Sequence, residues 1–260
     1  MKTAPVVLPS DDVFSDLITK VPAITLGFWA IKILATTLGE TAGDTVSMTL
    51  NLGYLTGSAI FIAILIAFVF CQVRSSRFYP FLYWVTIIAS TTAGTTMADF
   101  ATRSLGIGYL GGSLLLLSCV LISLFIWYRQ VGTINVNRIH EPRSEVFYWV
   151  TITFSQTLGT ALGDWTSDLP NMGYLSAAGV FAGMIGVVIS LHLFTKISKV
   201  WLFWIAFILT RPLGAAVGDF LDKPVADGGL ALSRPIASVI LAAAIVILII
   251  LMPQRAAREE

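Results

Sequence analysis

Hydrophobic residues run along this chain in long blocks that short polar segments interrupt. The longest uncharged stretches lie at 45–73, 78–98, 104–128, 146–163, 169–195 and 235–254. Most of them reach the roughly 18 to 20 residues with which an α-helix crosses about 30 Å of hydrocarbon. The pattern therefore predicts an all-α integral membrane protein in which several helices span the bilayer.

A motif of fixed spacing occurs four times along the chain. Each copy has an aromatic-Trp pair, a Gly ten residues after the Trp, and an Asp five residues after that Gly. Another Gly follows nine residues past each Asp. The Trp residues are Trp29, Trp84, Trp149 and Trp204, and the Asp residues are Asp44, Asp99, Asp164 and Asp219. A repeat at constant period indicates one structural unit used several times.

Successive copies are offset by 55, 65 and 55 residues, and 55 residues accommodate two spanning helices with short turns. We therefore expect eight transmembrane helices from four tandem two-helix repeats. The predicted spans are 24–48, 53–73, 79–103, 108–128, 146–168, 173–195, 200–222 and 231–252. They divide the chain into a tail at 1–23, a first half at 24–130, a polar loop at 131–145, a second half at 146–252 and a tail at 253–260.

Two helices per repeat give all four repeats the same, parallel orientation in the membrane. Eleven basic residues then fall in the loops and ends of one side and three on the other. Because basic residues accumulate on the cytoplasmic side, both termini are predicted to be cytoplasmic. We expect the repeated Trp residues to anchor the helices at the membrane interface.

Composition supports a membrane protein and excludes other classes. Only 12% of residues are charged, and the mean hydropathy is +0.84. The net charge of +1, without a long basic tract, argues against a nucleic-acid partner. The two cysteines stand alone in apolar surroundings, so neither a disulfide framework nor a Cys-rich metal site is expected.

The repeat, with its aromatic-Trp start and its Gly-x-x-x-small-Asp finish, resembles a family of bacterial membrane proteins made of four such repeats of unknown function. The resemblance covers nearly the whole chain and implies a bacterial inner-membrane protein with eight spans. Residues 40–45 are also similar to the Glu-x-Gly-Asp-Lys/Arg-Ser/Thr signature of the calcium and manganese exchangers. The spacing here is one residue longer, and the basic residue is missing.

Acidic residues inside the predicted odd-numbered spans are the candidate functional groups. They are Glu40, Asp44, Asp99, Asp164 and Asp219. A charge in hydrocarbon costs about 2.5 to 3.5 kcal/mol on insertion scales, so each needs a reason. Thr37, Glu40 and Asp44 share one helix face, and carboxylate and hydroxyl oxygens suit a hard cation such as Mn²⁺, Mg²⁺ or Ca²⁺, or a proton relay.

Two basic residues, Lys32 and Arg211, also lie within odd-numbered spans, and we expect them to act as internal counter-charges for the acids. The proposed pathway adds Thr92 and Thr157 to these residues, with Glu40 and Asp44 as the metal ligands. Asp168, Asp222, Lys223 and Asp227 fall in the turns on the other side and are expected to be solvated.

These residues predict a small secondary transporter of an inorganic cation, with efflux of a divalent metal such as Mn²⁺ as the leading hypothesis. The alternative is a membrane scaffold or sensor, in which the acids snorkel outward or cap the turns. The spans contain no Ser/His/Asp set, no His-x-x-x-His spacing and no cofactor fingerprint, so neither an enzyme nor a bound cofactor is expected. The sequence leaves open whether copies of the chain associate.

Overall fold

A computed structural model describes residues 18–139 and 141–258. Residues 1–17 of the predicted N-terminal tail, His140 in the predicted polar loop and residues 259–260 lie outside this range. The described residues form eight long helices: α1 (Leu26–Asp44), α2 (Gly53–Arg74), α3 (Pro80–Asp99), α4 (Gly108–Val131), α5 (Pro142–Ser167), α6 (Gly173–Phe194), α7 (Lys199–Asp222) and α8 (Arg234–Leu251). Two short strands, β1 (Ile18–Pro22) and β2 (Ala256–Arg258), flank them.

Local sequence signals account for several helix ends. The Thr25 side chain caps α1 by accepting a hydrogen bond from the backbone N–H of Phe28 at 3.2 Å. The Gly that follows each repeated Asp by nine residues has a positive φ, between 66° and 85°. Glycine adopts this left-handed conformation without a steric penalty, which explains its presence at this point of every repeat.

Helices α1, α3, α5 and α7 form a closed inner ring. Each packs against the next, and α7 returns to pack against α1. The other four helices lie outside this ring: α2 packs on α3, α4 on α5, α6 on α7 and α8 on α1. Each outer helix therefore covers the inner helix that follows it, and the last helix of the chain closes the circle.

Glycines allow the inner helices to approach closely, and the same contact recurs at all four crossings. The pairs are Gly39 with Thr91, Gly94 with Gln156, Gly159 with Arg211, and Gly214 with Thr36. A Cβ at any of these glycines would come within 3.0 Å of its partner. Small residues at such positions are typical of closely packed membrane helices.

Replacement of Gly159 by alanine is expected to destabilise the fold. The new methyl group would overlap the base of the Arg211 side chain, which has little freedom to move. Overpacking of this kind costs about 1 to 3 kcal/mol. Gly183→Ala on α6 is the matched control, because a Cβ there meets no atom within 4 Å. Thermal unfolding should separate the two variants, and equal melting temperatures would contradict the close crossing.

Five of the described helices, α2, α4, α6, α7 and α8, are long and apolar enough to cross a membrane. The other three, α1, α3 and α5, belong to the inner ring and carry buried polar side chains such as Glu40, Thr95 and Gln156. Their lower hydropathy follows from the polar face that they turn toward one another.

Three of the four repeated Trp residues do not lie where the sequence analysis placed them. Trp84, Trp149 and Trp204 are at most 2% exposed, and Trp29 is half-buried. Each of these three Trp rings packs against the Phe or Tyr that begins the motif of the preceding repeat. Together the rings form an aromatic layer across one end of the inner ring. The expectation of interfacial anchors is therefore wrong for these three residues, because their rings fill the core of the bundle.

The two ends of the described chain meet beside this aromatic layer. β1 pairs with β2 in an antiparallel two-stranded sheet. Lys20 Nζ lies 2.8 Å from a carboxylate oxygen of Glu145 and donates to the carbonyl oxygen of Val73 at 3.0 Å. Trp84 Nε1 donates to Gln254 at 3.1 Å. We call this paired segment, β1 with β2, the clasp.

Candidate functional site

The four repeated Asp residues gather at the end of the inner ring opposite the clasp. They are Asp44, Asp99, Asp164 and Asp219, each between 1% and 3% exposed. Each stands near the end of its inner helix, so that the ring of four helices brings the carboxylates to one level. The fold thus concentrates negative charge at one end of the inner ring.

Two basic residues bridge these carboxylates in pairs. Arg103 contacts Asp99 at 3.1 Å and Asp164 at 3.0 Å. Lys223 contacts Asp219 at 3.0 Å and Asp44 at 2.8 Å. Each base follows an Asp of its own repeat by four residues and reaches across to the Asp of the next repeat. The four carboxylates therefore form two pairs with different cations.

A second group of charges extends the pair held by Lys223. The first residue of α8, Arg234, places its Nε 3.1 Å from Asp222 and 3.6 Å from Asp44. Lys223 lies 4.0 Å from the same Asp222. Burial lowers the pKa of Lys223, but Asp219 and Asp44 raise it by more, so this pKa lies above its ordinary value and the ammonium stays charged at neutral pH.

Glu40 lies one helical turn deeper and pairs with Arg211. The Arg211 guanidinium is fully buried and places Nη2 3.0 Å from Glu40 Oε2. It also donates to the carbonyl oxygens of Thr36 and Thr91, each at 3.4 Å, and to the Thr95 hydroxyl. This buried cation is held by one carboxylate and by three uncharged oxygen acceptors, one on the adjacent helix α1 and two on α3, across the ring.

Three carboxylates come close enough to share one metal ion. Glu40, Asp44 and Asp219 each offer an oxygen, and these oxygens all lie within 4.8 Å of one another. All three residues are buried, and Asp44 Oδ1 has no hydrogen-bond partner among the described residues. Carboxylate oxygens are the ligands that Mg²⁺, Mn²⁺ and Ca²⁺ prefer. We call these three residues the carboxylate cluster.

The whole network carries an excess of negative charge. Its six acids are the carboxylate cluster with Asp99, Asp164 and Asp222, and its four bases are Arg103, Arg211, Lys223 and Arg234. With every group ionised, two negative charges remain uncompensated. One divalent cation would compensate these two negative charges.

Four further candidate residues form no hydrogen bond or ion pair with the carboxylate cluster in the part of the chain that the structure describes. The hydroxyls of Thr37, Thr92 and Thr157 each donate to the carbonyl four residues earlier in their own helix. Lys32 forms no ion pair with a carboxylate among the described residues; its Nζ lies 3.5 Å from Gln156 Oε1 and 4.1 Å from the centre of the Phe207 ring. Arg211 therefore has the carboxylate partner expected of a counter-charge, and Lys32 has none among the described residues.

Sequence reasoning missed the bases that hold the carboxylates. Asp222 and Lys223 were expected to be solvated, and this is wrong: Asp222 is buried, and the Lys223 side chain is 13% exposed. Arg103 and Arg234 were counted only as residues of the outer loops. The spacing of four residues from a repeated Asp to Arg103 or Lys223 was the available signal, because such residues are neighbours on a helix.

An open cavity of about 290 Å³ leads to the network from the end opposite the clasp. It is lined by Arg103, Tyr109, Asp164, Ser167, Asp168, Tyr174, Asp219 and Lys223. Solutes can therefore approach both bridging cations and two of the four Asp residues from this end. The aromatic layer closes the other end of the ring.

Four two-helix units around a shared polar core define a helical repeat protein. The chain belongs to the family of the Repeat of Unknown Function (DUF347), whose model matches residues 27–78, 82–133, 147–198 and 202–254. Each matched segment contains one inner helix and the outer helix that follows it, so the prediction of four tandem repeats is confirmed. No curated protein and no solved structure matches the chain.

Proposed function

We propose that the protein spans the bacterial inner membrane eight times, with its four repeats in the same orientation and both termini in the cytoplasm. The outer helices support this placement, because they expose large apolar side chains such as Leu55, Phe70, Leu121 and Ile247. Soluble proteins rarely expose apolar surface on this scale. The contact between β1 and β2 agrees with an even number of spans, because it joins the two ends of the described chain.

Cysteine labelling in intact cells tests this topology. In a background with Cys71→Ala and Cys119→Ala, Thr133→Cys should resist a membrane-impermeant maleimide, because the loop after α4 is cytoplasmic. Ala226→Cys, in the exposed turn between α7 and α8, is the matched external site and should react. Reaction at position 133 with protection at position 226 would reverse the orientation.

We further propose that the protein is a secondary transporter of an inorganic cation, with efflux of a divalent metal such as Mn²⁺ as its activity. The observation that carries this proposal is the carboxylate cluster, three buried acids within reach of one ion. The two uncompensated charges of the network support a divalent substrate. The partial likeness of residues 40–45 to the calcium and manganese exchanger signature points in the same direction.

In this proposal the aromatic layer opens on the cytoplasmic, clasp side, and the entering cation displaces the Lys223 ammonium from Asp44 and Asp219. Lys223 stands at the end of α7, where its protonated side chain can turn away from Asp44 and Asp219 toward Asp222, 4.0 Å away, and so stays part of the network. Arg103 stays between Asp99 and Asp164 and holds the other half of the ring. The cation then leaves through the open cavity on the external side after the aromatic layer has closed, so access alternates between the two sides.

The alternative is a membrane scaffold or sensor, and one observation favours it. Each of the four repeated Asp residues already has a basic partner at 3.1 Å or less, so the network can be satisfied without a bound ion. A buried polar network of this kind can serve to fix the arrangement of helices. Only a measurement of transport separates the two proposals.

Measurement of cation flux into proteoliposomes distinguishes a transporter from a scaffold or sensor. The purified protein is expected to move at least one of Mn²⁺, Mg²⁺ and Ca²⁺ faster than protein-free liposomes do, with and without a pH gradient. Asp227→Asn is the matched acidic control, because Asp227 is exposed at the same end of the bundle and should leave flux unchanged. Absence of flux for all three cations, in folded protein, would favour the scaffold.

A further inference from the structure

Lys32 is a buried base for which the proposed cation path has no use. It lies on α1, is 0% exposed, and replaces the apolar residues Ile87, Ile152 and Phe207 found at the same position of the other repeats. An uncompensated charge in such surroundings is costly. A lysine can avoid this cost by releasing its proton, whereas an arginine cannot.

The groups around Lys32 stabilise a protonated amine only weakly. Gln156 Oε1 on α5 is 3.5 Å away, and the Phe207 ring on α7 contributes a cation–π contact at 4.1 Å. Arg211 is also cationic and lies one turn further along α7 than Phe207, so it repels an ammonium at Lys32. Glu40, the acid at that level, is already paired with Arg211.

The remaining titratable groups around Lys32 are uncharged at neutral pH. Tyr83 on α3 and Tyr148 on α5 lie one turn closer to the clasp, and their hydroxyl oxygens are 2.6 Å apart. The buried face of α8 is apolar, formed by Ala237, Leu241, Ile245 and Ile249. No carboxylate from any helix packed against α1 forms an ion pair with Lys32 within the described ranges.

Charge balance links Lys32 to the carboxylate cluster. With every acid of the network ionised and no cation bound, two negative charges are in excess, and a protonated Lys32 compensates one of them. A divalent cation neutralises the network by itself, and a charged Lys32 would then be one positive charge too many. The two sites are separate, since eight residues of helix from Lys32 to Glu40 correspond to about 12 Å.

We propose that Lys32 is the proton site of a cation/proton exchange. The inference rests on the proposed transport function. Binding of the divalent cation breaks an N–H bond of the Lys32 ammonium, and the proton passes to water on the side from which the cation came. After the cation has left on the opposite side, the neutral amine takes up a proton there. Each cation thus moves against at least one proton.

Paired flux measurements test the coupling. Wild-type proteoliposomes are expected to accumulate Mn²⁺ when the lumen is acidic, with a matching rise of luminal pH. Lys32→Ile introduces the residue of two sister repeats and should lose this pH-driven uptake, falling to the level of protein-free liposomes, while it retains exchange of Mn²⁺ for labelled Mn²⁺. Lys196→Met, at an exposed lysine, should behave as the wild type. The proposal would be overturned if Lys32→Ile kept the uptake driven by the pH gradient. It would also be overturned if the folded variant lost both activities.

A second measurement keeps the test independent of transport and of the variant's folding. The chain has six lysines, so their ¹³Cε signals in the labelled wild-type protein can be resolved and followed at constant pH. Addition of Mg²⁺ should shift the Lys32 signal toward the position of a neutral amine. An unchanged Lys32 signal, with Mg²⁺ bound, would refute proton release. Absence of any cation flux in the wild type would instead refute the transport function.

Discussion

Replacement of Arg211 by glutamine is expected to lower the free energy of unfolding by about 3 to 5 kcal/mol at neutral pH, the usual cost of leaving a buried charge without its partner. Arg211 is the fully buried partner of Glu40. Glutamine is the residue of the third repeat at this position, but it brings no charge. Thermal and denaturant unfolding of the purified protein would measure the loss.

Two conditions should restore part of that stability. Acidification protonates Glu40 and removes its charge, so folding of the variant takes up a proton and becomes more favourable as the pH falls. A divalent cation bound by the carboxylate cluster has the same effect. Arg129→Gln, at an exposed arginine, is the matched control and should change little. If Arg211→Gln is destabilised equally at every pH and metal concentration, then Arg211 is a packing residue without a link to an ion site.

The double variant Glu40→Gln with Arg211→Gln separates charge from packing. If the uncompensated carboxylate causes the loss, removal of both charges should make the double variant more stable than Arg211→Gln alone. Such a non-additive result is expected for two side chains in direct contact. Additive losses would show that the two residues contribute independently.

Glu40→Gln and Asp44→Asn are each expected to reduce cation flux by about 100-fold or more, which corresponds to ~3 kcal/mol. Each removes one charged ligand of the carboxylate cluster and keeps the size of the side chain. Asp99→Asn and Asp164→Asn should cost less, because Arg103 keeps the remaining carboxylate of that pair. Initial rates of Mn²⁺ flux into proteoliposomes, normalised to folded protein, would measure the difference.

Two outcomes of these substitutions would contradict the proposed site. If these three Asn variants and Asp219→Asn all fail to fold, the carboxylates are structural and the pathway loses its main support. Equal losses of flux at Asp44 and Asp99 in folded protein would show that the two halves of the ring act alike. Either result would count against a site confined to Glu40, Asp44 and Asp219.

The sequence predicts the repeat architecture well because the repeated residues have local causes. The Gly after each Asp reflects a left-handed backbone position, and the Gly beside each helix crossing reflects the approach of two backbones. Both requirements recur in every unit, so they appear as a period in the sequence. The common level of the four Asp residues follows from the same regularity.

The partners of the carboxylates could not be derived in the same way. Arg103 and Lys223 occur in two repeats only, so the period does not reveal them, and their reach to the next repeat depends on the closed ring. The packing of α8 on α1 places Arg234 beside Asp44, and no local pattern encodes that contact. Burial of the Trp rings likewise depends on how four inner helices meet.

Anomalous X-ray scattering from crystals soaked in Mn²⁺ would test the central claim most directly, because it locates the ion and the side chains together. The account predicts one strong peak bound by oxygens of Glu40, Asp44 and Asp219, with the Lys223 ammonium displaced from Asp44. A cluster that keeps Lys223 between Asp44 and Asp219 at saturating Mn²⁺, without a peak, would contradict it.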